Sequence, residues 1–255
     1  MPPFVESEPA GSAAPLRIHA WSGPRNVSTA LMYSFAQRAD TRVVDEPLYG
    51  PYLELTGAVH PGRDELLEVL DTDARRIIDT VLLGPYDRPV VFFKQMAHHL
   101  VGIDWSFLDQ GVHVLLVRDP REVLTTLVRQ LPEPTLRDTG LDLQIQLLEH
   151  LEARGQEPPV LDAREVLLDP PAVLAELCRR LGIPFDPAML SWPAGARPED
   201  GPWAPHWYQA VHRSTGFAPY RPKREAPPDH VLPLLETCRP LYERLYRSAI
   251  KAPAS

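Results

Sequence analysis

The chain has 255 residues, of which 44% are apolar, 24% charged and 8% aromatic, a balance that builds a buried core and excludes disordered, collagenous and coiled-coil chains. Its formal charge of −8 disfavours general attraction to nucleic acid or to an anionic membrane, so any polyanionic ligand has to meet a local positive site. The longest apolar run, Val112 to Val117, is too short to span a bilayer.

Residues 1–15 lack a basic start and a continuous apolar stretch, and read as a flexible tail instead of a secretion signal. The expected location is therefore cytoplasmic, with residues 16–255 forming one domain. Leu16 to Trp21 reads as a strand, Val27 to Arg38 as a helix, Thr41 to Asp45 as a second strand stopped by Glu46-Pro47, and Asp64 to Leu83 as a helix. Pro89 to Lys94 and Val112 to Val117 read as buried strands, with a helix over Pro120 to Gln130 after them. A helix over Leu141 to Ala153, a strand over Pro159 to Asp162, a helix over Pro171 to Leu181 closed by Gly182, and a last helix over Asp229 to Lys251 complete the series. Cys178 and Cys238 fall in helical patterns and are expected as small apolar core residues. The stretch from Trp192 to Tyr208 reads as a long surface loop, either a substrate lid or a segment packed down by its aromatics. Strands alternating with helices predict a three-layer α/β domain with a central parallel sheet flanked by helices, and such folds bind ligands beyond the carboxyl ends of their strands.

Two strand-to-helix junctions carry chemistry. In Ser22-Gly23-Pro24-Arg25-Asn26-Val27-Ser28-Thr29, the free amides of a helix start coincide with hydroxyl and amide side chains and one arginine, the outline of a phosphate cradle. A plain turn capped by Asn26 or Ser28 explains the polar residues but leaves Arg25 without a role. The loop is not that of a nucleoside triphosphatase, because the Gly-Lys-Ser/Thr ending is absent. At the second junction, Asp119 as N-cap and Pro120 at the first helical position account for helix initiation. Arg118 and Thr126, on the strand end and the following helix, are left as candidates for a second phosphate.

These two clusters resemble the sulfotransferases that use 3'-phosphoadenosine 5'-phosphosulfate (PAPS), whose first strand-loop-helix binds the 5'-phosphosulfate. In that family a later Arg-Asn/Asp-Pro helix start holds the 3'-phosphate. Ser22 to Thr29 resembles the first element, with Arg25 where many members carry lysine, and VRDPREVLTTL, Val117 to Leu127, resembles the second through Arg118 and Thr126. A third stretch, LDAREVLLDPPAVLAELCRRLGIPFDP from Leu161 to Pro187, is similar to the family's "yEDL…dP…l..l..flGlpfd" segment. The resemblance implies a P-loop-like sulfotransferase fold, PAPS as donor, adenosine 3',5'-bisphosphate as product, no metal, and a small or medium organic acceptor presenting a hydroxyl or, less readily, an amine.

Arg25 and Lys94 are the candidates for neutralising charge on the transferred group, since Lys94 ends a strand where the family often carries a lysine; a lysine reaching solvent is the plain alternative. Met96 stands where Lys-Thr-His members carry their histidine, so the base is sought in Glu46, favoured slightly, or in His98 or His99. Glu46 paired with Arg25 would instead only orient the loop. The family's basic C-terminal loop points to Arg213 and Gly216 for the 3'-phosphate, and Tyr49, Tyr52 and the Trp192 to Tyr208 stretch to pocket walls. An ATP- and magnesium-dependent small-molecule kinase, and a catalytically silent nucleotide-binding protein, are the competing readings. The sequence carries no signal for oligomeric state or acceptor identity.

Overall fold

The computed structural model describes residues 14–253, so the expected tail over residues 1–15 lies mostly outside the described residues. Six strands form one wholly parallel sheet in the order β2-β3-β1-β4-β5-β6. They are β1 (Leu16–Ser22), β2 (Thr41–Asp45), β3 (Val90–Met96), β4 (Val112–Val117), β5 (Val160–Asp162) and β6 (Ala249–Ile250). Parallel pairing puts Ser22, Asp45, Met96 and Val117 on one edge, and the order reverses around β1, where such sheets form a crevice.

Side chains alternate faces along each strand, and the core divides accordingly. Ile18, Ala20, Phe92 and Leu116 pack under α1 (Ser28–Ala36) and, farther along the chain, under a helix over Pro170–Leu181. Trp21, Phe93, Leu115 and Val117 pack on the other face, under helices over Leu141–Glu152 and Leu232–Arg247. Cys178 belongs to the first cluster and Cys238 to the second, both as buried free thiols. The result is the three-layer arrangement that alternating strands and helices predict.

Several boundaries differ from the sequence reading. The helix expected over Asp64 to Leu83 is interrupted: α2 (Tyr49–Thr56) and α3 (Arg63–Val69) are followed by α4 (Ala74–Ile77), which continues as a π-helical turn over Ile78–Leu82. The cause is Asp71-Thr72-Asp73, because Asp73 accepts the Arg76 amide at 3.1 Å and starts a new helix, while Leu70 is extended. The helix expected to Gln130 ends as α5 (Pro120–Leu127). The last helix starts at Leu232 and stops at Arg247, and the residues expected to continue it form β6 on the edge of β5. The Trp192 to Tyr208 stretch is a segment packed down by its aromatics, with Trp192, Trp203 and Tyr208 at most 4% exposed, Pro193 to Ala196 exposed, and a helical turn over Ala204–Trp207. Among the described residues, no helix is long and apolar enough to cross a membrane.

His19 is buried in the second cluster, stacked on Phe93 with ring centroids 4.7 Å apart and on His113 at 5.3 Å, and neither of its ring nitrogens has a partner among the described residues. His113 accepts the Trp21 indole N–H at Nδ1 and donates from Nε2 to the Leu108 carbonyl, at 3.1 and 2.8 Å. Burial pushes His113 down to about 4, and pushes His19 well below its usual value with the neighbouring His113 adding to the effect. Both are neutral when folded and free to protonate when unfolded, so stability is complete above pH 6.5 and falls as pH drops below it. His113 by itself accounts for about 3 kcal/mol by pH 4. Urea midpoints measured at pH 7.5 and pH 5 should therefore fall more for wild type than for His19→Leu; equal losses would show that His19 does not titrate on unfolding.

Candidate functional site

The carboxyl ends of the central strands open into a cavity of about 860 Å³, lined on one side by residues Gly23 to Thr29. The chain turns there at close quarters: a Cβ on Gly23 would meet the Thr139 carbonyl oxygen at 2.2 Å. Arg25 adopts a left-handed φ of 57°, a conformation that costs about 1–3 kcal/mol in a non-glycine residue and is held by its surroundings. Neither Asn26 nor Ser28 caps α1. Asn26 instead donates to the Leu116 carbonyl at 3.0 Å and accepts the Val27 amide, pinning the loop to β4. The N-cap is Val27, which has no side-chain acceptor, so the first amides of α1 remain available to a ligand. Ser22 is the member of this loop that faces elsewhere, with its hydroxyl against the Gln95 carbonyl and the Met96 sulfur of β3.

Arg118 leaves β4 and reaches back over this loop. It donates to the Arg25 carbonyl at 2.9 Å and, through Nη2 and Nε, twice to Oε2 of Glu122, at 2.8 and 3.0 Å. Glu122 is also bonded by the Tyr220 hydroxyl at 2.7 Å. Against the effect of its burial, that hydroxyl and Arg118 hold the Glu122 carboxyl below its ordinary range. Lys223 arrives from the C-terminal segment and donates to the Thr126 hydroxyl at 3.0 Å. Burial, then Arg118, Arg25 and Arg129, push its pKa down to about 8 against the opposing charge of Glu122. Partial burial and the charges of Arg118 and Arg129 likewise lower Arg25. Three cations thus crowd around one carboxylate beside an uncapped helix start. Gly216 lines the cavity, whereas Arg213 is exposed and outside it, and the cation that this segment brings to the cavity is Lys223. The signal in the sequence was the scarcity of lysine, which occurs at only three positions.

Lys94 does not reach solvent. The register of β2 against β3 sets Asp45 beside it, and its ammonium donates to Asp45 at 2.9 Å, to the Tyr208 hydroxyl at 2.7 Å and to Glu46. Glu46 therefore pairs with Lys94 and not with Arg25, and is held at a left-handed φ of 37° by its own amide bonding the Lys94 carbonyl at 2.8 Å. Burial opposes the charge on Lys94, but Asp45 and Glu46 keep its pKa well above the usual lysine value. Burial and the Asp45 charge raise the Glu46 carboxyl, with Lys94 opposing. Asp45 is the hub: it also accepts the Tyr208 hydroxyl and the Gly201 amide, at 2.7 and 3.0 Å. Tyr208 in turn accepts the Trp203 indole N–H at 3.1 Å. Sequence reading passed over Asp45 and Tyr208 as site residues, because a strand-end aspartate and a loop tyrosine have no motif of their own.

Beyond β3 a single 3₁₀ turn, Ala97–His99, presents both histidines to the cavity among Tyr49 and Tyr52. Tyr52 stacks on His99 and meets His98 edge-on, with centroids 4.6 and 5.1 Å apart, and Tyr49 bonds His60. Burial lowers His98 to about 4 and His99 well below its usual value, so both imidazoles are neutral near pH 7. The cavity accordingly has a cationic end able to hold phosphate, a buried carboxylate beside an ammonium, and a wall of aromatic and neutral imidazole rings. Among the described residues, no group of three or more His, Cys, Asp and Glu side chains could hold a metal ion.

Removing the Tyr208 hydroxyl leaves the Trp203 N–H, one Lys94 donor and one Asp45 acceptor site short of a partner in a buried place, which costs about 1–3 kcal/mol. Tyr208→Phe should lower the thermal midpoint by several degrees, and an unchanged midpoint would show that the segment is not anchored through this hydroxyl.

Residues 16–249 match the family described as Sulfotransferase domain. Two proteins of Arabidopsis thaliana are similar to the chain, branched-chain-amino-acid aminotransferase-like proteins 1 and 2, at 41% identity over 245 residues and 40% over 229. The alignments cover 95% and 89% of this chain but only 44% and 41% of those proteins, so the chain spans less than half the length of these relatives. The sulfotransferase domain of the olefin synthase of Synechococcus PCC 7002 superposes with a TM-score of 0.52 at 16% identity, covering 91% of this chain and 98% of that one, a likeness of fold. With the family matched across nearly all of the described residues, the chain belongs to the sulfotransferase domain family, on its P-loop-like three-layer fold.

Proposed function

We propose that residues 16–255 form one catalytic unit that moves the sulfuryl group of PAPS to a hydroxyl of a small organic acceptor, leaving adenosine 3',5'-bisphosphate. The observation that supports this best is the pairing, in one cavity, of the Arg25, Arg118 and Lys223 cluster with the buried Glu46–Lys94 pair. The residues present fit the donor. Burial first, and then mutual repulsion, lower the pKa of Lys223 and of Arg25; three cations beside the single carboxylate Glu122 leave positive charge that a phosphate would match. Gly23 to Thr29 with the open amides of α1 suit a 5'-phosphosulfate, and Arg118, Thr126, Lys223 and Gly216 suit a 3'-phosphate.

PAPS, when bound, provides the sulfuryl group and a phosphate leaving group. Lys94 and Arg25 neutralise charge that develops on the oxygens of the transferred and departing groups. Glu46 takes the proton of the acceptor hydroxyl as the new oxygen–sulfur bond forms, and its raised pKa suits a base working near neutral pH. Tyr49, Tyr52 and the Trp203 to Tyr208 turn orient the acceptor and keep water away. His98 and His99, being neutral and close by, are the second choice of base. The aminotransferase in the relatives' names is not carried over, because the span shared with them is the one matched by the sulfotransferase family.

Calorimetry should show metal-independent binding of adenosine 3',5'-bisphosphate in preference to ATP with magnesium, weakened about 10- to 100-fold by Arg118→Ala or Lys223→Ala, since a hydrogen bond to a charged group contributes about 1.5–3 kcal/mol. A preference for ATP would replace this reading with that of a kinase. Because free Lys223 loses its proton near pH 8, wild-type affinity should fall as pH rises above that value, and Lys223→Arg should remove the fall. Glu46→Gln should reduce sulfuryl transfer at least 100-fold while bisphosphate affinity holds; transfer at the wild-type rate would exclude Glu46 as the base.

A further inference from the structure

One part of the cavity is not accounted for by the donor. Tyr49, Tyr52, His60, His98 and His99 form a continuous cluster of rings there, with neighbouring centroids 4.6 to 5.9 Å apart. His98 and His99 are 8% and 2% exposed, and the Nδ1 atoms of both are buried with no hydrogen-bond partner among the described residues. Both rings line the cavity, and the Nε2 atom of neither ring is among the buried ones or bonds another described residue, so each ring offers that nitrogen to a ligand. The charge of this part is one-sided. Glu46 and Asp138 line it as carboxylates, and Asp138 stands close enough for its charge to oppose the burial-driven fall of His60 and His98. The cations of the cavity, Arg25, Arg118 and Lys223, belong to the donor loops, and Lys94 is matched by two carboxylates. Arg137, beside Asp138 in the chain, opposes the Asp138 charge at His98 and Tyr52, but it is exposed, where solvent and salt screen it, and does not line the cavity. Asp138 spends only Oδ2 on its helix cap, accepting the Thr135 amide and hydroxyl at 2.7 and 2.6 Å.

Neutral imidazoles, tyrosine faces and carboxylates with no free cation attract a positive group and repel an anion. Resting on the sulfotransferase reading above, we propose that this chamber binds a small alcohol or phenol bearing a protonated amine, with the hydroxyl at Glu46 and the ammonium held by the tyrosine and histidine rings and by Asp138. The Nε2 nitrogens of His98 and His99 accept ammonium or hydroxyl hydrogens, and Asp138 sets the preference for charge. The bond that forms is between the acceptor oxygen and sulfur, and the amine keeps its protons.

Two matched series test this on the full chain with PAPS: tyramine, 4-ethylphenol and 3-(4-hydroxyphenyl)propanoate as phenols, and 3-aminopropanol, butanol and 3-hydroxypropanoate as alcohols. In the series that is turned over, kcat/KM should rank amine over neutral over carboxylate, with at least about tenfold between the first two, and Asp138→Asn should reduce that ratio about tenfold. Bisphosphate binding by the variant serves as the measure of a folded site. A neutral or carboxylate member ranking first, a ratio unmoved by Asp138→Asn, or no turnover of either amine by protein that binds the bisphosphate would overturn the proposal. Calorimetry with phenethylammonium, which has no hydroxyl and cannot react, separates the two readings. Binding weakened by Asp138→Asn supports the amine chamber even where bisphosphate binding fails and the donor reading falls; no binding of this probe refutes the chamber while leaving the donor reading intact.

Discussion

An ammonium group at a site 2% exposed stays charged only where carboxylates and hydrogen-bond acceptors replace the water it has lost, and Lys94 is such a group. Much of the site follows from meeting that requirement. The register that aligns β2 with β3 brings Asp45 alongside, the turn after β2 swings Glu46 in through an unfavourable φ, and Tyr208 supplies the third acceptor from a segment far away in the chain. Asp45 then uses its second oxygen to take up the Gly201 amide, so the same carboxylate that balances Lys94 also docks the stretch leading to Trp203 and Tyr208. Trp203 meets Tyr49 edge-on at 4.8 Å and so completes the aromatic wall. The wall and the charged centre are one construction, with Asp45 as their shared member.

The donor end solves the opposite problem. Arg118 and Lys223 crowd near the cavity with Arg25, and Glu122 is the carboxylate buried among them. Glu122 orients Arg118 with two hydrogen bonds and leaves its charge only partly answered by the remaining neighbours, which is the arrangement of a site prepared for an anion. Tyr220 and Arg121 tie the C-terminal segment to α5, the first through Glu122 and the second by donating to the Lys223 carbonyl at 3.2 Å, so this segment brings Lys223 as part of the fold and not as a loose arm.

What could be read from the sequence depended on whether the determining contacts were local. The alternation of strands and helices, the Asp119-Pro120 start and the Gly182 stop, with Gly182 at a φ of 72°, are set by residues next to one another and were legible. That residues 23–29 and Arg118 meet at one cavity was legible because both follow directly on the ends of parallel strands. Asp45 and Tyr208 were not, because they are defined by a contact across 163 residues, and the same holds for Lys223 opposite Thr126. Local periodicity misled where a cap overrode it: the leucine and isoleucine spacing of Asp64 to Leu83 runs through Asp71-Thr72-Asp73, whose side chains break the helix and begin another. The Trp192 to Tyr208 stretch reads as a loop from its prolines and glycines, and which of its two alternatives held, lid or packed segment, is set by partners outside it: Ser214 for Trp192, Tyr49 for Trp203, and Lys94 and Asp45 for Tyr208.

The chain as a whole is acidic, yet one end of its cavity is built for an anion. The conflict is smaller than the net charge suggests, because at physiological salt the field of surface charges is screened beyond about 8 Å, whereas groups partly withdrawn from solvent act on one another with less screening. Lys223 shows the difference: its pKa is depressed although the protein carries a formal charge of −8, so what it experiences is its cationic neighbours and its burial. The local cluster therefore decides how this end of the cavity meets an anion, and the long-range field is left to act on whatever approaches the other end. An acidic surface slows the approach of anions and favours cations, and the carboxylates Glu46 and Asp138 continue that bias into the chamber. The two ends of the cavity thus differ in sign, and the transfer proposed above, from a polyanionic donor to a cationic acceptor, would leave each reactant facing the charge that suits it.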